Sequence, residues 1–103
     1  AALLTHQGDV FCGVNVENAS YGLTICAERS AVFKAISEGN QDLAAICIVC
    51  SADLIPTPCG ACRQVLSEFA LDLEILCVSS TLREKRLPLK ELLPHAFEIS
   101  APV

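Results

Sequence analysis

Two short apolar stretches open the chain, residues 1–6 (AALLTH) and 10–15 (VFCGVN), on either side of Gln7-Gly8-Asp9. A glycine-containing turn between apolar runs predicts a β-hairpin. From Asn15 to Ile25 neither the helical nor the strand period is present, so this segment reads as a loop. Residues 26–39 return to a helical pattern, with Ala31, Val32, Ala35 and Ile36 on one face and Gly39 as a stop signal. Residues 43–51 (LAAICIVCS) are apolar almost throughout, the pattern of a central strand covered on both faces. After Pro56 and Pro58, the residues Cys62, Val65, Leu66, Phe69 and Ala70 recur at helical spacing and predict a second amphipathic helix. Leu73 to Ser79 reads as a further strand. The stretch 81–86 is too short for a parallel crossover, so the segment at Leu87 is expected to return antiparallel. Residues 89–93 suggest a short terminal helix. Together these elements predict one α/β domain over 1–103, a three-layer α-β-α sandwich with a five-stranded mixed sheet and helices on both faces.

Composition narrows the function. The chain has 103 residues, enough for one core, and 52% of them are hydrophobic. That fraction is high for the size and suggests a sheet covered on both faces or a sizeable subunit interface. The longest apolar run, Leu43 to Cys50, falls far short of the roughly 20 residues that span a bilayer, and no signal-peptide pattern opens the chain. The net charge is −5. An acidic protein has no electrostatic reason to seek a polyanion, which excludes nucleic acid as partner and favours a small neutral ligand. Seven cysteines beside a metal-type spacing indicate a reduced, cytoplasmic metalloprotein rather than a disulfide scaffold.

The candidate chemistry lies in Cys26-Ala27-Glu28 and Pro58-Cys59-Gly60-Ala61-Cys62. Cys59 and Cys62 share a face at a helix start. Cys26 supplies a third thiol. Three soft ligands suit zinc, and a zinc with three protein ligands keeps a position for water. Glu28 is then the proton carrier that is not itself a ligand. Cys26 and Glu28 are two apart and can converge on one point only if the metal sits beyond the helix end. Both helix N-termini stabilise thiolates through free N–H groups and partial positive charge. Arg29 is placed to donate to a ligand sulfur, offsetting charge from three thiolates. Arg63 is open between such a role and a helix-surface cation. Cys47 and Cys50 form a second C-x-x-C on a strand, where such residues point to opposite faces, so both are expected to be buried small hydrophobes. Cys77 is expected in the core. His6 is expected at a strand end or the surface rather than as a ligand, and His95 is expected to be exposed. In the loop, Asn15 and Glu17 offer an amide and a carboxylate that can bind a diol.

C-A-E-R and P-C-G-A-C-R-Q closely resemble the zinc-dependent cytidine deaminases of free nucleosides, whose pattern is a His or Cys ligand, a glutamate, and P-C-x-x-C. Asn15-Val16-Glu17-Asn18 resembles that family's ribose-binding segment, and Glu91-Leu92-Leu93-Pro94 extends the likeness along almost the whole chain. The resemblance starts after a helix and a phenylalanine-bearing stretch with which family chains begin. It implies one zinc per chain on Cys26, Cys59 and Cys62, and hydrolytic deamination of cytidine and deoxycytidine at C4. It implies Glu28 as proton shuttle, Asn15 and Glu17 at the ribose 3′ side, the Ala27 N–H at O2 of the base and the Thr57 carbonyl at the exocyclic amine. Arg29 would hold ligand sulfurs. It further implies a homotetramer in which the loop carrying Ala19 and Tyr21, and the tail carrying Phe97, reach a neighbour's pocket. Three other readings remain: a deaminase of another cytosine nucleoside (blasticidin type), a structural zinc module, and a thiol-redox protein. The structural module normally needs a fourth protein ligand, and none is evident.

Overall fold

The computed structural model describes residues 1–98. Strands β1 (Ala2–Thr5) and β2 (Val10–Cys12) form the expected antiparallel hairpin, with Gly8 at φ 95° in its turn. Helix α1 spans Ala27–Ser37, followed by β3 (Leu43–Val49), α2 (Gly60–Phe69), β4 (Glu74–Val78), β5 (Glu84–Pro88) and the single turn α3 (Leu89–Leu92). The sheet order is β2-β1-β3-β4-β5. β3 runs parallel to β4 and antiparallel to β1, and β5 returns antiparallel to β4 as its short connection requires. α1 ends where Gly39 adopts φ 87°, with Asn40 N–H donating to Ala35 O and Gly39 N–H to Ile36 O. This left-handed cap closes the last carbonyls of the helix.

The mixed five-stranded sheet of an α/β sandwich is therefore present. One expectation differs in detail: among the described residues, β3 is central and the helices cover one of its faces, while on the other Ala45 and Cys47 are half-buried and Val49 is exposed. Leu3, Phe11, Ile46 and Ile75 are paired across neighbouring strands and are all buried. With Ile48, Cys77, Ala31, Val32, Leu66 and Leu89 they form one core cluster. α1 packs on β1, β2, β3 and α2, while α2 meets α3, which packs on β5. The helices of the described residues thus share one side of the sheet. On the other side Leu4 is 40%, Val10 58% and Val49 62% exposed. The apolar run in β3 is continuous because small and β-branched residues occupy both faces. A one-dimensional pattern cannot say whether the second face is covered by the same segment or by something else.

Cys47 and Cys50 also differ from expectation. Both are half-buried, Cys47 on the open sheet face and Cys50 just past β3. The Cys50 thiol donates to the carbonyls of Ala52 (3.4 Å) and Leu54 (3.2 Å). Cys77 is buried, and the two histidines are exposed. Among the described residues, no helix is long and apolar enough to cross a membrane.

Candidate active site

Two helix N-termini meet at one edge of the core. Cys26 is the N-cap of α1 and Cys59 the N-cap of α2, both with extended backbone, and each carbonyl accepts the first bond of its helix. Cys62 lies one turn into α2. The Cys26 and Cys59 sulfurs are 3.9 Å apart, those of Cys59 and Cys62 3.4 Å, and all three lie within 4.8 Å of one another. A tetrahedral zinc with Zn–S bonds of about 2.3 Å separates its sulfurs by about 3.8 Å. The donor set and its spacing therefore fit a zinc ion. Cys62 is fully buried, Cys26 half-buried and Cys59 exposed, so the cluster opens to solvent on one side.

The local charges differ. The Cys62 backbone N–H donates to Cys59 and holds its pKa below the usual thiol range. Burial, and then a hydrogen bond with Glu28, push Cys62 well above that range. A divalent cation would reverse the second effect, since thiols bind metal as thiolates. Glu28 is itself 8% exposed, on the first turn of α1 beside Cys62. Arg29 donates through Nη2 to Cys26 Sγ at 3.5 Å and to Thr24 O at 3.4 Å. The sulfur contact holds its guanidinium above the usual arginine range. Its Nε is buried without a partner, a donor left over for a sulfur carrying more negative charge.

The loop before α1 is pinned at its neck. Val16 and Ile25 form an antiparallel bridge through both of their amide–carbonyl pairs, at 2.8 and 3.0 Å. Asn15 and Glu17 flank Val16 and so lie on one face of this short extended stretch, next to Cys26. Asn15 Oδ1 accepts from the Ala27 N–H at 2.7 Å. That amide is thus engaged, and a pyrimidine O2 at this point would have to displace Asn15. Glu17, Ala19, Tyr21 and Thr57 are exposed, Tyr21 at 89%. The reading as loop omitted the 3₁₀ turn Tyr21–Leu23, closed by Thr24 N–H to Tyr21 O.

Sequence reasoning missed three supports of this site. Gly13 touches α1 so closely that an added Cβ would lie 2.4 Å from both Ala27 O and Ala31 N. Ser30 Oγ donates to Val14 O at 2.8 Å, a second stitch between this segment and α1. Arg63, left open above, donates through Nε to Pro58 O (2.7 Å) and through Nη1 to Leu92 O (2.8 Å), joining α2 and α3 to the residue before Cys59. The only available signal was a glycine leading from a strand toward a helix start.

Such a fold and cluster define a zinc hydrolase class: an α/β sheet with thiolates at paired helix N-termini and a buried carboxylate beside them. A family model described as the cytidine and deoxycytidylate deaminase zinc-binding region matches residues 1–78. The cytidine deaminase of Halalkalibacterium halodurans is 48% identical over 98 residues, covering 94% of this chain and 74% of the relative. A probable cytidine deaminase of Dictyostelium discoideum is 50% identical, covering 94% and 66%. The crystal structure of cytidine deaminase from Burkholderia pseudomallei superposes with a TM-score of 0.89 at 44% identity, covering 93% of this chain and 78% of that one. The chain belongs to the cytidine deaminase family.

Proposed function

We propose that the protein deaminates cytidine and deoxycytidine to the uracil nucleosides with release of ammonia. The observation that carries this is the three-thiol cluster at two helix N-termini with the buried Glu28 against it. Zinc, when bound by Cys26, Cys59 and Cys62, supplies a Lewis acid that brings the pKa of a coordinated water to about 7. With zinc held there, Glu28 would take one proton from the water and deliver it to N3 of the base, then carry the second proton, from the new C4 hydroxyl, to the departing amine. The C4–N4 bond breaks and C4 gains the oxygen, so one water is consumed for each ammonia. Burial suits Glu28 to this work by keeping bulk water from competing for the proton. Arg29 offsets thiolate charge through its bond to Cys26.

Asn15 and Glu17 are assigned to the sugar hydroxyls, supported by their common face beside Cys26. Because Asn15 Oδ1 is held by Ala27 N–H, its free Nδ2 is the group left to donate to a hydroxyl. The Thr57 carbonyl is assigned to the 4-amino group. Cytosine nucleosides of the ordinary kind are favoured over a blasticidin-type ligand because the sugar-binding pair is intact. Three metal-binding thiols need a reducing compartment, which supports a cytoplasmic place in pyrimidine salvage. Exposed Tyr21, Leu23 and Phe97 support a homotetramer with shared sites.

Ultraviolet absorbance tests the reading directly. The zinc-loaded protein should convert cytidine and leave adenosine unchanged. No conversion of cytidine or deoxycytidine by zinc-loaded protein would reject it.

A further inference from the structure

The loop that enters the metal site from β3 is gripped from outside the site. It runs from Cys50 to Pro58 and carries Thr57 just before the fully buried Pro58. Near its start, Asp53 is held by the β4–β5 turn. Thr81 Oγ1 donates to Asp53 Oδ1 at 2.6 Å. Arg83 donates to the same oxygen through Nε (3.3 Å) and Nη2 (3.1 Å), and through Nη2 to the Asp53 carbonyl at 3.1 Å. Ser80 N–H adds a bond to Ala52 O at 3.0 Å.

The turn is built to present these donors. Ser79 Oγ accepts from the Arg83 N–H at 3.1 Å, and Ser79 N–H donates to Arg83 O at 2.8 Å. Leu82 at the tip adopts φ 63°, a region leucine seldom enters. A lone exposed ion pair contributes little. Here one residue receives bonds to both its carboxylate and its carbonyl from one turn, which defines a position as well as a charge contact.

The position is transmitted along stiff chain. Asp53-Leu54-Ile55-Pro56-Thr57-Pro58 holds two prolines, which fix their own φ and confine Ile55 and Thr57 to extended backbone. Ile55 packs on the core, and Arg63 grips Pro58 O at the far end. Thr57 is therefore held from both sides.

We propose that Asp53, Thr81 and Arg83 are positioning residues that set the Thr57 carbonyl against the base and so distinguish substrate from product. The proposal rests on the deaminase reading and on the Thr57 assignment. Cytosine presents an N–H donor at C4, which a fixed carbonyl accepts. Uracil presents an oxygen there, which the same carbonyl repels. A carbonyl that can swing loses the favourable contact with the amine and relaxes away from the oxygen.

The test uses Arg83→Gln and Thr81→Val, singly and together, in the zinc-loaded full chain. Arg83 is solvent-exposed at 56% of its side chain, so its loss leaves the core intact. The expected result is a rise in KM for cytidine of about 3- to 10-fold, the worth of one misplaced hydrogen bond. Inhibition by uridine should stay the same or tighten, and zinc content should equal that of the parent. Equal weakening toward cytidine and uridine would show general loosening and overturn the proposal, as would no change in either. A parent protein that does not deaminate cytidine overturns the reaction reading, and this proposal with it. A deaminating parent whose variants keep its cytidine-to-uridine ratio removes only the positioning role.

Discussion

A thiol at an N-cap and a thiol one turn inside the helix are electrostatically different, although they sit three residues apart. Cys59 receives backbone N–H bonds and is exposed; Cys62 is buried and faces Glu28. A cation must offset the cost of a thiolate at Cys62, so the buried ligand and the metal depend on each other. Cys59→Ser should abolish stoichiometric zinc, whereas Cys47→Ser on the open sheet face should retain it, as elemental analysis of the purified variants will show. Glu28→Gln preserves volume and leaves the sulfurs in place. It should keep zinc and fold yet lose about 10²- to 10⁴-fold in turnover, the usual contribution of a positioned acid–base group. Near-parental turnover in that variant would mean that another group moves the proton. These residues were legible in the sequence because their spacing states the chemistry: C-x-x-C at a helix start, and a carboxylate two residues from a third thiol.

At the scale of elements, the site depends on how α1 is fastened to the segment after β2. Gly13 permits backbone contact, Ser30 bonds Val14 O, and Asn15 caps Ala27. All three lie within one turn of Cys26 or Glu28 in sequence or in space. In Gly13→Ala the methyl would meet backbone atoms of α1, which cannot rotate out of the way as a side chain can. Overpacking of this kind typically costs about 1–3 kcal/mol, and here it should also shift Cys26 relative to Cys59. We expect a lower thermal midpoint together with weaker zinc retention against a chelator; an unchanged midpoint would contradict the close approach. Beyond the glycine itself, none of this was visible in the sequence, because each contact joins segments a dozen or more residues apart. The same holds for Arg63 with Leu92 and for Asp53 with Arg83. Periodicity identified α2, the antiparallel return of β5 and the α1 stop at Gly39, since those follow from local spacing and connection length. It could not say which face of β3 the helices cover.

At the scale of the whole molecule, the described residues cover one side of the sheet and leave several large apolar groups in solvent. Tyr21 (89%), Leu23 (64%) and Phe97 (75%) are exposed beside the functional loop or near the chain end. Tyr21 and Leu23 sit on a short 3₁₀ turn whose neck, the Val16–Ile25 bridge, adjoins Cys26. A hydrogen-bonded loop next to the thiol cluster that exposes an aromatic ring is suited to a neighbouring subunit's site. The homotetramer proposed above gives these rings a partner, whereas packing within one subunit leaves them wet. Sedimentation at assay concentration should show the assembly. Mixing then asks whether sites are shared. A Glu28→Gln subunit lacks the proton carrier but offers Tyr21; a Tyr21→Ala subunit has the carrier but offers no ring. Each homogeneous assembly should be poorly active. Reassembled together from dissociated subunits, they form some sites that combine an intact Glu28 with a neighbour's Tyr21, so activity should rise above the average of the two parents. A fully active monomer, or verified mixed assemblies without that rise, would show that each subunit completes its own site.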